Sequence, residues 1–233
     1  MNKNECQHAL IINQKAPNAV NLACKFLREG KVISFPSDTI YGIAVDASNS
    51  KAVRALYRIK NRDEKKPIAI FVKDLKAAEK IFCFDKLSKK IVRKFFPGQL
   101  TLVLKTKPEA SSFLASNLNK NNDGFLGFRI IDSFFVQKLF EKFDGNLAVT
   151  SANISDQKAA TSAKEVAKYF EKLDLVIDGG ICDGQPSTVA KITDDKIEIL
   201  RQGKIKVKIK GKIKLVVIKN IVSLKIDPET SSG

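Results

Sequence analysis

The chain has 233 residues and a formal charge of +16, with 44% hydrophobic and 28% charged residues. This composition excludes a disordered tail and a fibre, and the longest apolar runs, such as residues 68–72, fall short of the ~18 residues that span a bilayer. The N-terminus has no basic segment followed by an apolar one, so we predict a soluble, cytoplasmic protein.

The cysteine and histidine content excludes further classes of protein. The four cysteines form no Cys-x-x-Cys pair, which rules out zinc ribbons and thioredoxin-like motifs, and we expect no protein-held metal. The single histidine, His8, lies in a polar N-terminal stretch. Catalysis by a Ser-His-Asp or Cys-His arrangement in the body of the chain therefore has no base.

Helical and strand patterns alternate along the chain. Helices are predicted at residues 18–29, 50–60, 75–82, 86–96, 133–143 and 162–172. Strands are predicted at residues 32–35, 68–72, 101–105, 125–130, 147–150, 173–177, 188–192 and 197–201. Such alternation favours an α/β fold, with a twisted mixed sheet flanked by helices. We predict one domain over residues 15–203 and a lysine-rich strand tail over residues 204–233, without a second domain.

The tail carries much of the charge. From Arg201 onward there are nine basic and two acidic residues, and lysine alternates with apolar residues from Lys204 to Lys210. Period two predicts a strand with one face of ammonium groups. That face can bind RNA or another polyanion, or it can protect an edge strand from self-pairing.

Short polar segments next to the strands hold the candidate ligand groups. Lys60, Arg62 and Lys66 are close enough to converge on one anion, or they complement a helix C-terminus. The loop of residues 150–153 can cradle a phosphate, or it is a plain turn. Thr39 and Tyr41 follow a strand, where a small polar substrate can bind, or Tyr41 is a core aromatic whose hydroxyl reaches the surface.

Together these segments resemble the YrdC/Sua5 family of L-threonylcarbamoyladenylate synthases. The matching motifs are Pro36-Ser-Asp-Thr39-Ile-Tyr41-Gly, Lys60-Asn-Arg62 with Lys66-Pro67, Pro97-Gly-Gln-Leu-Thr101, Gly127-Phe-Arg129, Ser151-Ala-Asn153, Pro186-Ser-Thr188 and Arg201-Gln-Gly203. The chain departs from the family pattern at Phe71, where many relatives have His, and at Ile131 and Ser133 after the arginine. These departures affect the threonine side of the site, whereas the phosphate side is intact.

The resemblance implies a YrdC-like domain with a concave basic cleft. It also implies a nucleotidyltransferase that converts L-threonine, bicarbonate and ATP, with Mg²⁺, to L-threonylcarbamoyladenylate and pyrophosphate. This is the first step of threonylcarbamoyl-adenosine formation at tRNA position 37. The implied partners are a downstream threonylcarbamoyl transferase complex, in transient contact, and tRNA through the basic surface; no membrane contact is expected.

The resemblance also assigns the site residues. Thr39, Arg129, Thr150 and Ser187 would hold L-threonine. Arg62, Lys66, Ser151, Asn153 and Arg201 would hold ATP. Lys60 and Arg62 would be catalytic, stabilising charge where the two substrates meet. The alternative is a non-catalytic module that binds double-stranded RNA or tRNA.

Overall fold

The computed structural model describes residues 9–120, 123–154, 157–194 and 196–207, and the backbone of strands at 213–218 and 221–226. The helices are α1 (Ala19–Arg28), α2 (Ser50–Ile59), α3 (Leu75–Ile81), α4 (Lys86–Phe95), α5 (Phe134–Lys142) and α6 (Ala163–Tyr169), with short 3-10 turns at Pro108–Ser112 and Ser116–Leu118. The strands are β1 (Leu10–Asn13), β2 (Ile33–Pro36), β3 (Tyr41–Asp46), β4 (Ala69–Phe71), β5 (Leu100–Lys105), β6 (Phe125–Arg129), β7 (Leu147–Ser151), β8 (Leu175–Asp178), β9 (Thr188–Thr193), β10 (Lys196–Arg201), β11 (Ile213–Ile218) and β12 (Ile221–Ile226).

The twelve strands of the described residues join one mixed sheet in the order β1-β8-β2-β3-β7-β4-β6-β5-β9-β10-β12-β11. β8 pairs in parallel with β1 and β2, β4 with β6, and β5 with β9, whereas the other pairs are antiparallel. The predicted α/β class with a mixed sheet and flanking helices is confirmed.

Local capping fixes where the helices begin and end. Asn49 Oδ1 accepts the backbone N–H groups of Lys51 at 3.0 Å and Ala52 at 3.1 Å, which satisfies two free donors at the start of α2. Gly30 follows α1 with φ +73°, a left-handed conformation that glycine adopts without strain. The polar solvent faces and apolar inner faces of these helices then set how they pack on the sheet.

Helices cover the two faces of the sheet unequally. On one face, α2, α3, α4 and α6 pack over the larger hydrophobic core, which includes Leu56, Ile70 and Phe128. On the other face, α1 and α5 cover a second core around Phe35 and Leu139. The rest of that face lines a cleft of about 450 Å³ over β4, β6, β5 and β9.

Two strands were not predicted from the sequence. β1 is a four-residue strand that pairs with the distant β8, and β3 begins at Tyr41, inside a segment that we interpreted as a polar loop. Pro36 and Tyr41 are paired across the β2–β3 hairpin, so the loop between them is shorter than the polar sequence indicates.

The start of the lysine-rich tail differs from its predicted strand. Residues 204–207 are irregular; Thr188 Oγ1 donates to Ile205 O at 2.6 Å, and Val207 packs into the larger core. Residues 208–212 lie outside the described residues. Beyond them, β11 and β12 form an antiparallel pair, and β12 pairs with β10. The domain boundary at residues 203/204 stays a prediction.

Within the described part of the chain, no helix combines the length and the apolar character that a membrane crossing requires.

Candidate active site

Residues of seven described strands, β3, β4, β5, β6, β7, β9 and β10, line the cleft. Successive residues of a β-strand alternate between the two faces of the sheet. Phe125, Gly127 and Arg129 of β6 face the cleft, whereas Leu126 and Phe128 between them are buried in the larger core. Gly127 avoids a close contact on the floor of the cleft, since a Cβ atom there would lie 3.3 Å from Thr101 Cγ2.

One end of the cleft is polar. Its central residue is Arg129, which is 3% exposed. Its Nη1 donates to Thr39 Oγ1 at 3.1 Å, its Nε donates to Gly98 O at 2.8 Å, and its Nη2 pairs with Asp38 Oδ1. Burial lowers the pKa of Arg129, and the neighbouring Asp38 carboxylate opposes that shift. The ring of Phe71 lies 5.8 Å from the guanidinium carbon, so the cation rests against an aromatic face.

Ser187 lies on the adjacent wall and connects to Arg201. Its Oγ is 2.9 Å from Thr101 Oγ1, and Arg201 Nη2 donates to Ser187 Oγ at 3.0 Å and to Ser187 O at 2.9 Å. Gly203 allows this close approach, because a Cβ atom there would lie 2.2 Å from Pro186 O.

A second cationic group lies beside β7. Lys60, immediately after α2, is 2% exposed, and its Nζ donates to Ser151 O, to Ser151 Oγ at 3.1 Å and to Asn153 Oδ1 at 2.7 Å. Burial, followed by the positive charges of Arg62 and Arg201, lowers the pKa of Lys60 to about 7. A large part of the Lys60 population is therefore neutral near physiological pH.

Arg62 reaches the cleft from the loop after α2. Its Nε donates to Lys66 O at 3.1 Å and its Nη2 donates to Pro67 O at 3.0 Å, so the loop's own carbonyl groups fix the guanidinium. Tyr57 supports the same loop, since its hydroxyl donates to Lys66 O at 3.2 Å.

The structure brings most of the predicted site residues to one cleft. Those that line it are Thr39, Arg62, Arg129, Thr150, Ser151, Ser187 and Arg201. Three others do not line it: Lys60 and Asn153 lie behind Ser151, and Lys66 is exposed on the loop that it shares with Arg62. The backbone of Lys66, rather than its ammonium group, therefore contacts the site in this structure.

The sequence does not predict a role for several of the residues that line the cleft. Thr101 lies in the motif Pro97-Gly-Gln-Leu-Thr101, which indicates no role for its hydroxyl. Phe125 and Lys191 form the opposite, more apolar end, where the lysine Nζ lies 4.0 Å from the ring centroid. They come from strands on either side of β5, and no local pattern in the sequence joins them.

The donor set does not form a magnesium site. Asp123 is the one carboxylate among the described residues that line the cleft, and it accepts from Asn119 Nδ2 at 2.7 Å. Among the described residues no cluster of three or more His, Cys, Asp or Glu side chains could hold a metal ion. We therefore assign no step to a protein-bound Mg²⁺.

The chain matches known proteins over most of its length. A family model of Sua5, YciO and YrdC proteins, described as telomere recombination, matches residues 25–203. A Methanocaldococcus jannaschii protein is 40% identical over 181 residues, which are 77% of this chain and 83% of that protein. Homo sapiens threonylcarbamoyl-AMP synthase is 37% identical over 196 residues, covering 79% of this chain and 67% of that one.

A solved structure supports the same relationship. Pyrococcus abyssi Sua5 complexed with L-threonine has a TM-score of 0.76 at 28% identity, covering 84% of this chain. The match spans 57% of the Pyrococcus chain. The chain thus has the α/β fold of these proteins, and it belongs to the Sua5/YciO/YrdC family, as its motifs predicted.

Proposed function

We propose that this protein is a threonylcarbamoyl-AMP synthase, a nucleotidyltransferase. It would convert L-threonine, bicarbonate and ATP to L-threonylcarbamoyladenylate and pyrophosphate, for N6-threonylcarbamoylation of adenosine 37 in tRNA. The observation that carries the proposal is the single cleft that joins a buried arginine and hydroxyls at one wall to Arg62, Ser151 and Arg201. Relatives that bear this enzyme's name, and a relative with L-threonine bound, support it.

L-Threonine would bind at the polar end. Arg129 offers a planar fork for the carboxylate, while Thr39, Thr150 and Ser187 offer hydroxyls for the substrate's polar groups. Arg129 already bonds Thr39, and Arg201 bonds Ser187, so these groups are held in place before the substrate arrives. Preorganisation of this kind reduces the entropy lost on binding.

ATP would bind along the remainder of the cleft. Arg62, Ser151 and Arg201 would contact its phosphates, and Lys66, from the exposed loop, would reach them from above. Asn153 would act through Ser151, because its Oδ1 accepts from Ser151 Oγ at 2.5 Å. The adenine ring would pack against the apolar side chains at the Phe125 end of the cleft.

The chemistry needs positioning and charge stabilisation rather than a covalent nucleophile. The amine of threonine and bicarbonate would form a carbamate with loss of water, and a carbamate oxygen would attack the α-phosphate as pyrophosphate leaves. The described residues that line the cleft include no cysteine or histidine, in agreement with this route. The protonated fraction of Lys60 would stabilise the developing charge through Ser151, to which Lys60 Nζ donates a hydrogen bond.

Mass spectrometry of the reaction mixture tests the proposal. Incubation with ATP, Mg²⁺, L-threonine and ¹³C-bicarbonate should give L-threonylcarbamoyladenylate with the label in its carbamoyl carbon. An unlabelled adenylate, or none from folded protein that binds ATP, would overturn it.

RNA binding remains the alternative function. Its candidate residues include the lysines of residues 208–214, whose side chains lie outside the described residues. A tRNA-binding curve that weakens steeply with salt, from protein without pyrophosphate release, would favour this alternative. The transferase complex and a tRNA contact remain proposed partners.

A further inference from the structure

Three different nitrogens of Arg129 are held by the protein itself. Nε bonds Gly98 O at 2.8 Å, Nη1 bonds Thr39 Oγ1 at 3.1 Å and Nη2 pairs with Asp38 Oδ1. A guanidinium has five N–H groups, so these bonds leave two N–H groups for a ligand. Arg129 lines the cleft, and the directions of those two groups depend on how the other three are fixed.

Asp38 is bound to the wall of the cleft through both its side chain and its backbone. Its side chain is 10% exposed and pairs with Arg129, while its carbonyl oxygen accepts from Gln99 Nε2 at 2.5 Å. The carbonyl of Gln99 in turn accepts from Thr188 N at 3.1 Å, next to Ser187. One hydrogen-bonded frame therefore connects three of the predicted threonine contacts.

Asp38 itself does not line the catalytic cleft. It lines a neighbouring cavity on the other side of the β2–β3 loop, together with the exposed side chains of Phe134 and Ile181. Any effect of its carboxylate on a substrate in the cleft is therefore transmitted by Arg129.

We propose that Asp38 is a positioning residue for the amino-acid substrate. Its carboxylate fixes the rotation of the Arg129 guanidinium, so that the two remaining N–H groups meet the substrate carboxylate as a pair. Without that carboxylate the buried guanidinium loses its counter-charge and turns toward other acceptors, and the paired geometry is lost. This inference rests on the proposed function, in which Arg129 binds the carboxylate of L-threonine.

Electrostatics alone predicts the opposite result, which makes the inference testable. Asp38 partly neutralises Arg129, so its removal would strengthen attraction of the substrate carboxylate if charge were the main effect. If orientation is the main effect, removal weakens binding. The sign of the change in L-threonine affinity decides between them.

The experiment compares Asp38→Asn, which keeps the shape and removes the charge, with Asp38→Glu, which keeps the charge on a longer arm. Asp132→Asn is the matched control, since Asp132 is exposed and lines the neighbouring cavity. Calorimetry measures binding of L-threonine and of L-threoninol, which lacks the carboxylate. Steady-state pyrophosphate release gives the KM values for L-threonine and ATP, and circular dichroism follows thermal unfolding.

We expect Asp38→Asn to weaken L-threonine binding by about tenfold, as for loss of one well-aligned bond to a charged group. The KM for ATP and the affinity for L-threoninol should stay within about twofold, and Asp132→Asn should behave as wild type. Asp38→Glu should show an intermediate loss of about threefold, confined to L-threonine. The Glu variant also serves as the test if the Asn variant does not fold.

Unchanged or tighter L-threonine binding by Asp38→Asn would overturn the inference. So would an equal loss for L-threonine, L-threoninol and ATP, because that pattern indicates a general structural role. If wild-type protein releases no pyrophosphate in response to L-threonine and bicarbonate, the proposed function fails and the inference fails with it. If the wild type is active and Asp38→Asn binds L-threonine as tightly as the wild type does, only the inference about Asp38 is overturned, and the proposed function stands.

Discussion

Lys60 Nζ donates a 2.7 Å hydrogen bond to Asn153 Oδ1 behind Ser151, where Lys60 is 2% exposed, Asn153 is partly buried and neither lines the cleft. Ser151 Oγ thus accepts a hydrogen bond from Lys60 Nζ on one side, and Ser151 also lines the cleft. A buried lysine with a pKa of about 7 links the protonation of the site to the stability of the fold.

Lys60 should make the free energy of unfolding depend on pH, and a variant that lacks its amino group measures this contribution. The unfolded chain keeps this proton up to about pH 10.5, whereas the folded protein releases it near 7. Between these values the unfolded state binds more protons, so the free energy of unfolding rises with pH, by up to about 1.4 kcal/mol per pH unit.

Urea denaturation of wild type and Lys60→Met at pH 7, 8 and 9 measures this contribution. The wild type should gain stability relative to the variant as the pH rises. Parallel curves for the two proteins would show that Lys60 keeps an ordinary pKa.

Arg62 is predicted to hold ATP. Arg62→Ala should weaken ATP binding by about thirtyfold, which corresponds to the ~2 kcal/mol expected for a hydrogen-bonded contact to a charged group. The KM for L-threonine should change little, because Arg62 is fixed by the carbonyl groups of Lys66 and Pro67 rather than by the Arg129 frame. Arg58→Ala, an exposed arginine of the last turn of α2, is the control. Equal ATP affinity in both variants would exclude Arg62 from the nucleotide site.

Gly203 should tolerate no side chain. A Cβ atom there would lie 2.2 Å from Pro186 O and 2.6 Å from Thr188 N, both of them backbone atoms. Gly203→Ala should therefore displace the Ser187 segment, cost about 1–3 kcal/mol of stability and reduce kcat/KM by at least about tenfold. Thermal unfolding and pyrophosphate release measure the two effects.

Gly124→Asn is the comparison for Gly203→Ala. Gly124 has φ +74°, a Cβ atom added there would have no atom within 4 Å, and asparagine tolerates that conformation. The variant should keep wild-type activity. An active Gly203→Ala protein would mean that the segments bearing Ser187 and Arg201 can separate without loss.

Phe71, one of the departures from the family pattern, is 7% exposed and packs against Arg129 and the second core. Phe71→Ala should cost about 3–5 kcal/mol of stability through the cavity that it leaves. Phe71→His should cost less and still raise the KM for L-threonine, since a buried imidazole would compete for the hydroxyls around Arg129. An unchanged KM for Phe71→His would remove Phe71 from the substrate end of the cleft.

The helices and most strands were predictable because their signals are local. α2 has an asparagine cap and an apolar face, and α4 ends before a proline, so both boundaries agree with the sequence to within one residue. β1 gave no comparable signal: it has four residues, is partly exposed and is stabilised by pairing with β8, more than 160 residues away.

The position of Lys60 could not be predicted for a related reason. A lysine at the end of a helix is ordinarily solvated. Lys60 is buried instead, and the groups that accept its hydrogen bonds belong to Ser151 and Asn153, about 90 residues later in the chain. Seven of the ten site residues that the motifs indicated line the cleft, and their roles stay predictions. The motifs could not indicate that Lys60 and Asn153 stand behind its wall, or that Asp38 holds Arg129.

Pyrophosphate release in the presence of ATP and Mg²⁺, with L-threonine and bicarbonate omitted one at a time, decides whether the protein catalyses the proposed reaction. The proposed reaction predicts release only when both are present. Release that is indifferent to either substrate, or no release from folded protein that binds ATP, would contradict the assignment.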